Sequence, residues 1–237
     1  MLLGIDTSGA VSTAVARGDL TGPAPEVLQV RSDARSRHHD EVLLALIDET
    51  LQAAGVERRD LSGVVVGRGP GPFTGLRVGL VSARSIAAVL GVPLHGLSSL
   101  DALAHQALAA LEPAAEGPVT VGVALDARRR EVYHARYRRE ASGEILRIAE
   151  PAVDTPADVA GSLTACDVLV GSGTALYPEL LPATAELVHV GGLQTTLQPY
   201  PWNAVILGLG MGERLSVPSR QQLLPHRSDP HVPHSSS

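Results

Sequence analysis

The sequence predicts an α/β protein of two related lobes, each a mixed sheet flanked by helices, and three observations predict it. The chain opens on three short apolar segments separated by turns, Leu2–Asp6, Val11–Ala16 and Val27–Val30, which is the pattern of a meander. Strand-like and helix-like segments then alternate from residue 39 to residue 110, as they do where parallel strands are joined by helices. After the Pro-, Ala- and Glu-rich stretch 112–118, the second half starts again with strands and ends in helical patterns. The expected division is a first lobe over 1–111, a smaller second lobe over 112–218 and a tail over 219–237.

The elements follow in order. Leu2 to Asp6 stops at an Asp-Thr-Ser-Gly turn, and Val11 to Ala16 alternates well enough to close a hairpin over Thr7 to Ala10. From His39 to Ala54 the residues Val42, Leu43, Leu46, Ile47, Leu51 and Ala54 recur at helical spacing, and Gly55 supplies a stop. The apolar band is wide, so this helix either lies between two layers or keeps part of its face for another chain. Gly63–Gly67 is continuously apolar, as strands covered on both faces are. A Gly/Pro loop leads to Thr74, the expected N-cap of a helix running to Leu90. Val92–Leu97 reads as a strand, and Ser98-Ser99-Leu100-Asp101 as a capping box for a helix through Ala110. In the second half, strands are expected over Val119–Leu125, Glu131–Tyr137, Glu144–Ile148 and Cys166–Val170. A short helix should run from the Gly171 loop to Leu181, and a last one from Asn203 to Leu215. The tail from Pro225 is rich in Pro, Ser and His and too polar to build a core.

Composition narrows the function. With 237 residues and 44% hydrophobic content the chain can bury a substantial core. Aromatics are 3% and the formal charge is −6, which disfavours base-stacking platforms and a free-standing basic RNA-binding surface. All 19 basic residues are arginine, so neither a P-loop lysine nor Schiff-base chemistry is available. The single Cys166 excludes an internal disulfide and a cysteine metal site. No apolar run approaches the roughly 20 residues of a membrane span, and the N-terminus lacks a signal-peptide pattern; a cytoplasmic location is expected.

Several motifs admit two readings. Gly67 to Gly79 places glycines between a buried strand and a helix, where backbone amides can cradle a phosphate or a tight turn needs unusual dihedrals. Gly75, Gly79, Ala83, Ala87 and Gly91 draw a nearly bare stripe along the helix. Glycine there costs about 1 kcal/mol relative to alanine, so something must come very close: the helix's own sheet or a second subunit. Asp6-Thr7-Ser8 resembles the phosphate loop of actin-like ATPases, and Gly171-Ser172-Gly173 could meet a nucleotide edge, yet both are also ordinary turns. Adjacent His38 and His39 point about 100° apart on a helix and do not share an ion easily. Arg128, Arg129, Arg130, Arg136, Arg138 and Arg139 crowd one hairpin, as solvated surface or as a local tRNA or partner contact.

Together, Gly4-Ile5-Asp6-Thr7-Ser8, Arg37-His38-His39-Asp40-Glu41, Gly67 to Gly79, Gly96-Leu97-Ser98-Ser99-Leu100 and Ala124 to Arg129 resemble the TsaB (YeaZ) family over nearly the whole chain up to the tail. The resemblance implies a two-lobed actin-like ATPase (ASKHA) fold with mixed sheets flanked by helices and a reduced second lobe. It implies a scaffold for the paralogue TsaD, which transfers threonylcarbamoyl to N6 of adenosine 37 in tRNAs reading codons that begin with A. TsaE, an ATPase, joins the pair, tRNA is met through the complex, and the chain forms a homodimer when alone. The partner interface would hold His39, Val42, Leu43, Leu46, Ile47, Gly75, Leu76, Gly79, Ala83 and Ala87, so that Gly79→Leu would break pairing with little loss of fold. Asp6, Thr7, Ser8, Gly171 and Gly173 would be a vestigial nucleotide site, with ATP or ADP entering only at the complex interface and no cofactor of the chain's own. Ser99 and Leu103 stand where TsaD carries its two metal-binding histidines, so no metal and no catalytic residue is expected. The rival readings are an active ASKHA-type phosphotransferase or ATPase using Asp6 and the Gly171 loop, and a metallopeptidase-like hydrolase.

Overall fold

The structure, a computed structural model, describes residues 1–18, 25–33, 39–110, 117–183 and 213–214. The chain runs β1 (Leu2–Asp6), β2 (Val11–Arg17), β3 (Glu26–Asp33), α1 (His39–Ala54), β4 (Gly63–Gly67), α2 (Phe73–Leu90), β5 (Leu94–Leu97) and α3 (Ser99–Ala110). It continues with β6 (Val119–Arg128), β7 (Glu131–Arg139), β8 (Ile145–Asp154), α4 (Pro156–Thr164), β9 (Val168–Val170), α5 (Ser172–Leu176) and β10 (Glu213–Arg214).

The two sheets repeat one plan. In the first, β1, β2 and β3 form an antiparallel meander, β4 adds parallel to β1, and β5 adds parallel to β4. In the second, β6, β7 and β8 form the meander and β9 adds parallel to β6. Helices bracket β4 and β9 alike, but α1 and α2 have 16 and 18 residues where α4 and α5 have 9 and 5. The second lobe is a shortened copy of the first.

Alternation along the strands sorts the core into layers. Leu3, Ile5, Val11, Val15, Val64 and Val66 point to one side, where Leu43, Leu46, Ile47 and Leu51 of α1 and Ala83 and Ala87 of α2 cover them. Leu2, Ala14, Ala16, Val65 and Leu97 point to the other side and meet Ala102 of α3. Of the other described apolar residues of α3, Leu100, Leu103, Ala104, Ala107 and Leu108 pack on Val121, Val123, Ala135, Tyr137, Val168 and Val170 of the second sheet. Thus α3, expected to close the first lobe, lies between both sheets. Its first turn is pinned from the second one: Tyr137 Oη donates to Asp101 Oδ1 at 2.7 Å, and Arg147 Nη2 donates to both Asp101 oxygens at 2.7 and 2.6 Å.

Local chemistry departs from expectation at several places. Pro72, not Thr74, caps α2: with φ −58° and ψ 124° it turns the chain, and its carbonyl accepts from Leu76 N at 3.0 Å. The reciprocal half of the expected capping box is not made, because Asp101 is engaged by Tyr137 and Arg147; only Ser98 Oγ caps, accepting from Leu100 N at 3.3 Å. Strand β5 starts two residues late, after Pro93, while β6 and β8 run on to Arg128 and Asp154. Helix α5 ends at Leu176, and turns carry the chain on to Leu181. Where a final helix was expected over Asn203–Leu215, Glu213 and Arg214 instead pair antiparallel with Gly96 and His95, satisfying the open edge of β5; the rest of that segment and the tail lie outside the described residues.

Candidate functional site

The two motifs that looked like phosphate loops fill each other. Asp6-Thr7-Ser8 leaves the end of β1 and enters the Gly-rich segment between β4 and α2. A β-carbon on Gly67 would overlap the Asp6 carboxyl, one on Gly71 would overlap Ser8, and one on Gly79 would overlap Thr7 Oγ1. Thr7 Oγ1 donates to Gly75 O at 2.8 Å. The glycines are there so that this turn can approach the loop and the helix, which is the turn reading rather than the phosphate cradle.

Asp6 is fully buried. Its Oδ1 accepts from Ser8 N at 2.7 Å and Ser8 Oγ at 2.6 Å, and its Oδ2 lies 3.2 Å from Ser99 Oγ, which is itself 2.9 Å from Ser8 Oγ. Ser12, directly across the strand pair from Asp6, keeps its Oγ buried with no partner among the described residues. A carboxylate that orients a metal-bound water must offer an oxygen to solvent or ligand. Asp6 offers none, so the residues present do not fit a metal–nucleotide group.

Burial pushes the Asp6 carboxyl above its ordinary value near 3.8, against the lowering pull of the Ser8 and Ser99 hydrogen bonds. The folded state therefore holds this proton more tightly than the unfolded chain, and stability is lost as pH rises from that ordinary value through the raised one. Asp6→Asn removes this slope. The expected result is that the variant's midpoint of unfolding, taken relative to the wild type, climbs as pH rises above about 4. A difference that stays flat over that range in urea titrations contradicts the buried, proton-retaining carboxyl.

The other predicted site residues fall into three groups. Leu43, Leu46, Ile47, Leu76, Ala83 and Ala87 are between 0% and 9% exposed, and with Gly75 and Gly79 they are buried in the chain's own fold. The bare stripe therefore faces the sheet of the same chain, a correction to the partner interface expected there: small residues report that a neighbour is close, not which chain it belongs to. Val42 is half-buried, and His39 opens α1 with its side chain outside the described residues. The outward faces of α1 and α2 carry instead Leu44, Val81 and Val89, which are 57%, 56% and 85% exposed. Pattern reading missed these because they sit among apolar neighbours, Leu43 and Ala45, Leu80, and Ala88 and Leu90, in runs whose spacing does not say which side faces out.

In the second lobe, Gly171 and Gly173 press against Ala124 midway along β6, and Ser172 Oγ accepts from Asp126 N at 3.0 Å. This loop packs on an inner strand of the second sheet. Arg128, Arg129 and Arg130 close the β6–β7 hairpin and are all exposed. Ser99 is buried under Asp6, and Leu103 sits in the core of the second sheet. Among the described residues no three His, Cys, Asp or Glu side chains converge as a metal site. Helix α2 is long and apolar enough to cross a membrane by length and composition alone, but its small-residue stripe is occupied by the first sheet.

Comparison with known proteins gives a consistent picture. A family model described as TsaD, tRNA N6-adenosine threonylcarbamoyltransferase, matches residues 30–198. An uncharacterised protein of Mycobacterium tuberculosis is 42% identical over 163 residues, 67% of this chain and 66% of that protein, so the chain spans just under two thirds of this relative. The tRNA threonylcarbamoyladenosine biosynthesis protein TsaB of Escherichia coli is 35% identical over 107 residues, 45% of this chain and 44% of that one. YeaZ from Pseudomonas aeruginosa superposes with a TM-score of 0.66 at 27% identity, covering 95% of this chain and 98% of the other.

Proposed function

The chain belongs to the TsaB/YeaZ family, and from that premise we propose that it serves threonylcarbamoyladenosine formation in tRNA as a non-catalytic pairing subunit. Its partner is a transferase of the TsaD type, with a TsaE-type ATPase docking on the pair, in the cytoplasm. The observation that carries the reading is the closed position around Asp6. Where an actin-like site would act on a phosphate or a metal, this chain places Ser8 and Ser99 hydroxyls on the carboxyl and Leu103 in the core. What it offers outward is a pair of adjoining helix faces with exposed apolar side chains, a surface suited to another helix pair of similar build.

On this reading the outward faces of α1 and α2 meet the corresponding helices of the transferase, or of a second copy when the transferase is missing. Nucleotide enters only at the joint with the partner, and tRNA is held by the assembled pair. The test is reconstitution: an unmodified tRNA transcript, the TsaD- and TsaE-type proteins and a source of threonylcarbamoyl-adenylate, with and without this chain. Nucleoside mass spectrometry should find the modified adenosine only when the chain is present together with the transferase. Modification by the chain alone, or full modification without it, overturns the proposal.

A further inference from the structure

The β6–β7 hairpin turns on Arg129 and Arg130, with Arg128 paired across to Glu131. All three arginines have positive φ, at 65°, 50° and 67°. Positive φ at both central residues is the signature of a type I′ turn, for which Asn-Gly and similar pairs are the unstrained choice. A β-carbon in that region crowds the neighbouring carbonyl. Three successive arginines thus adopt a backbone that glycine or asparagine would adopt at less cost, and the outcome is three guanidinium groups at one exposed tip. An observed run of strained residues of a single charged type is the kind of outlier from which function is inferred.

The charges there are unevenly committed. Arg128 Nη1 lies 3.2 Å from Asp126 Oδ2, so its charge is met locally. Further along β7, Arg138 donates to Glu140 Oε1 at 2.7 Å and Arg139 to Leu108 O at 2.5 Å. Arg129 and Arg130 form no ion pair among the described residues. In a chain of formal charge −6, they are two uncommitted cations held at the turn between the two inner strands of the second sheet. Guanidinium forks match pairs of phosphate oxygens, and phosphate contacts fix position without reading sequence. No aromatic platform is needed for that, which suits a chain with 3% aromatic residues.

We propose that Arg129 and Arg130 contact the phosphate backbone of a structured RNA, the turn being flanked by the Arg128–Asp126 pair. The inference rests on the tRNA reading above and adds the place of contact. The discriminating variant is Arg129→Asn with Arg130→Gly, which supplies the dipeptide this turn prefers. It should leave the melting temperature unchanged or higher while weakening RNA binding, so that loss of fold and loss of function move in opposite directions. The probe is an unmodified tRNA transcript titrated by fluorescence anisotropy with the full chain in complex with its TsaD-type partner, from 50 to 200 mM salt.

Removing two phosphate contacts should reduce the slope of log affinity against log salt by about 1.5 and weaken binding roughly tenfold at 0.1 M salt. Arg129→Lys with Arg130→Lys should restore most of the slope. An unchanged affinity and slope would mean a solvated tip and overturn the contact, while pairing and reconstituted modification still judge the scaffold reading separately. Loss of partner binding in the Asn/Gly variant would also overturn it, since the tip would then be a protein contact.

Discussion

Gly79→Leu is expected to destabilise the isolated chain by about 3 kcal/mol or more, as overpacking at an unyielding site does. For a domain of this size that lowers the melting temperature by roughly 10 °C. The cause is Thr7, whose hydroxyl already occupies the place a β-carbon would take and is tied to Gly75 O at 2.8 Å. A double-mutant cycle isolates the clash. Gly79→Ala alone should destabilise, whereas in a Thr7→Ala background the nearest side-chain atom left is the residue-7 β-carbon at 3.3 Å. There the same change should be neutral or stabilising, because alanine recovers about 1 kcal/mol of helix propensity. Calorimetry on the four proteins reads the cycle. Equal costs in both backgrounds would show that Gly79 meets something other than Thr7.

The second large effect concerns association instead of folding. Leu44→Asp combined with Val81→Asp should leave the melting temperature within about 1 °C of the wild type, since both side chains are more than half exposed. The same pair should weaken binding to the TsaD-type partner by at least about 100-fold, because two unpaired carboxylates would be desolvated in a helix-on-helix contact. Isothermal titration of the purified partners decides it. Undiminished affinity would place the contact on another surface of the chain.

How far the sequence could be read depended on whether a signal was local. Helix α1 was legible to the residue, since helical spacing over His39–Ala54 is closed by Gly55 at φ 65°. Strand β4 was legible because an uninterrupted Gly-Val-Val-Val-Gly run fits only a strand buried on both faces. Helix α4 was missed, although Thr155 caps it, Pro156 starts it and Val159 and Leu163 are its buried rows. Nine residues with Gly161 among them give too little periodicity to stand out. The Asp6–Ser99 contact spans 93 positions and left no trace in either motif. The direction of the Gly75–Ala87 stripe needed the location of Thr7, which no spacing within α2 encodes.

Helix α3 gives one side chain row to each sheet, with Ala102 on the first and Leu100, Leu103, Ala107 and Leu108 on the second. Severing the chain anywhere between residues 111 and 116 therefore does not yield two independent halves. The downstream piece keeps Val121, Val123, Ala135 and Tyr137 without the cover they pack under, and the upstream piece trails an amphipathic arm with nothing to bury it. Both fragments should be insoluble apart and recover shape only when mixed, as a keystone removed brings down the spans on either side of it.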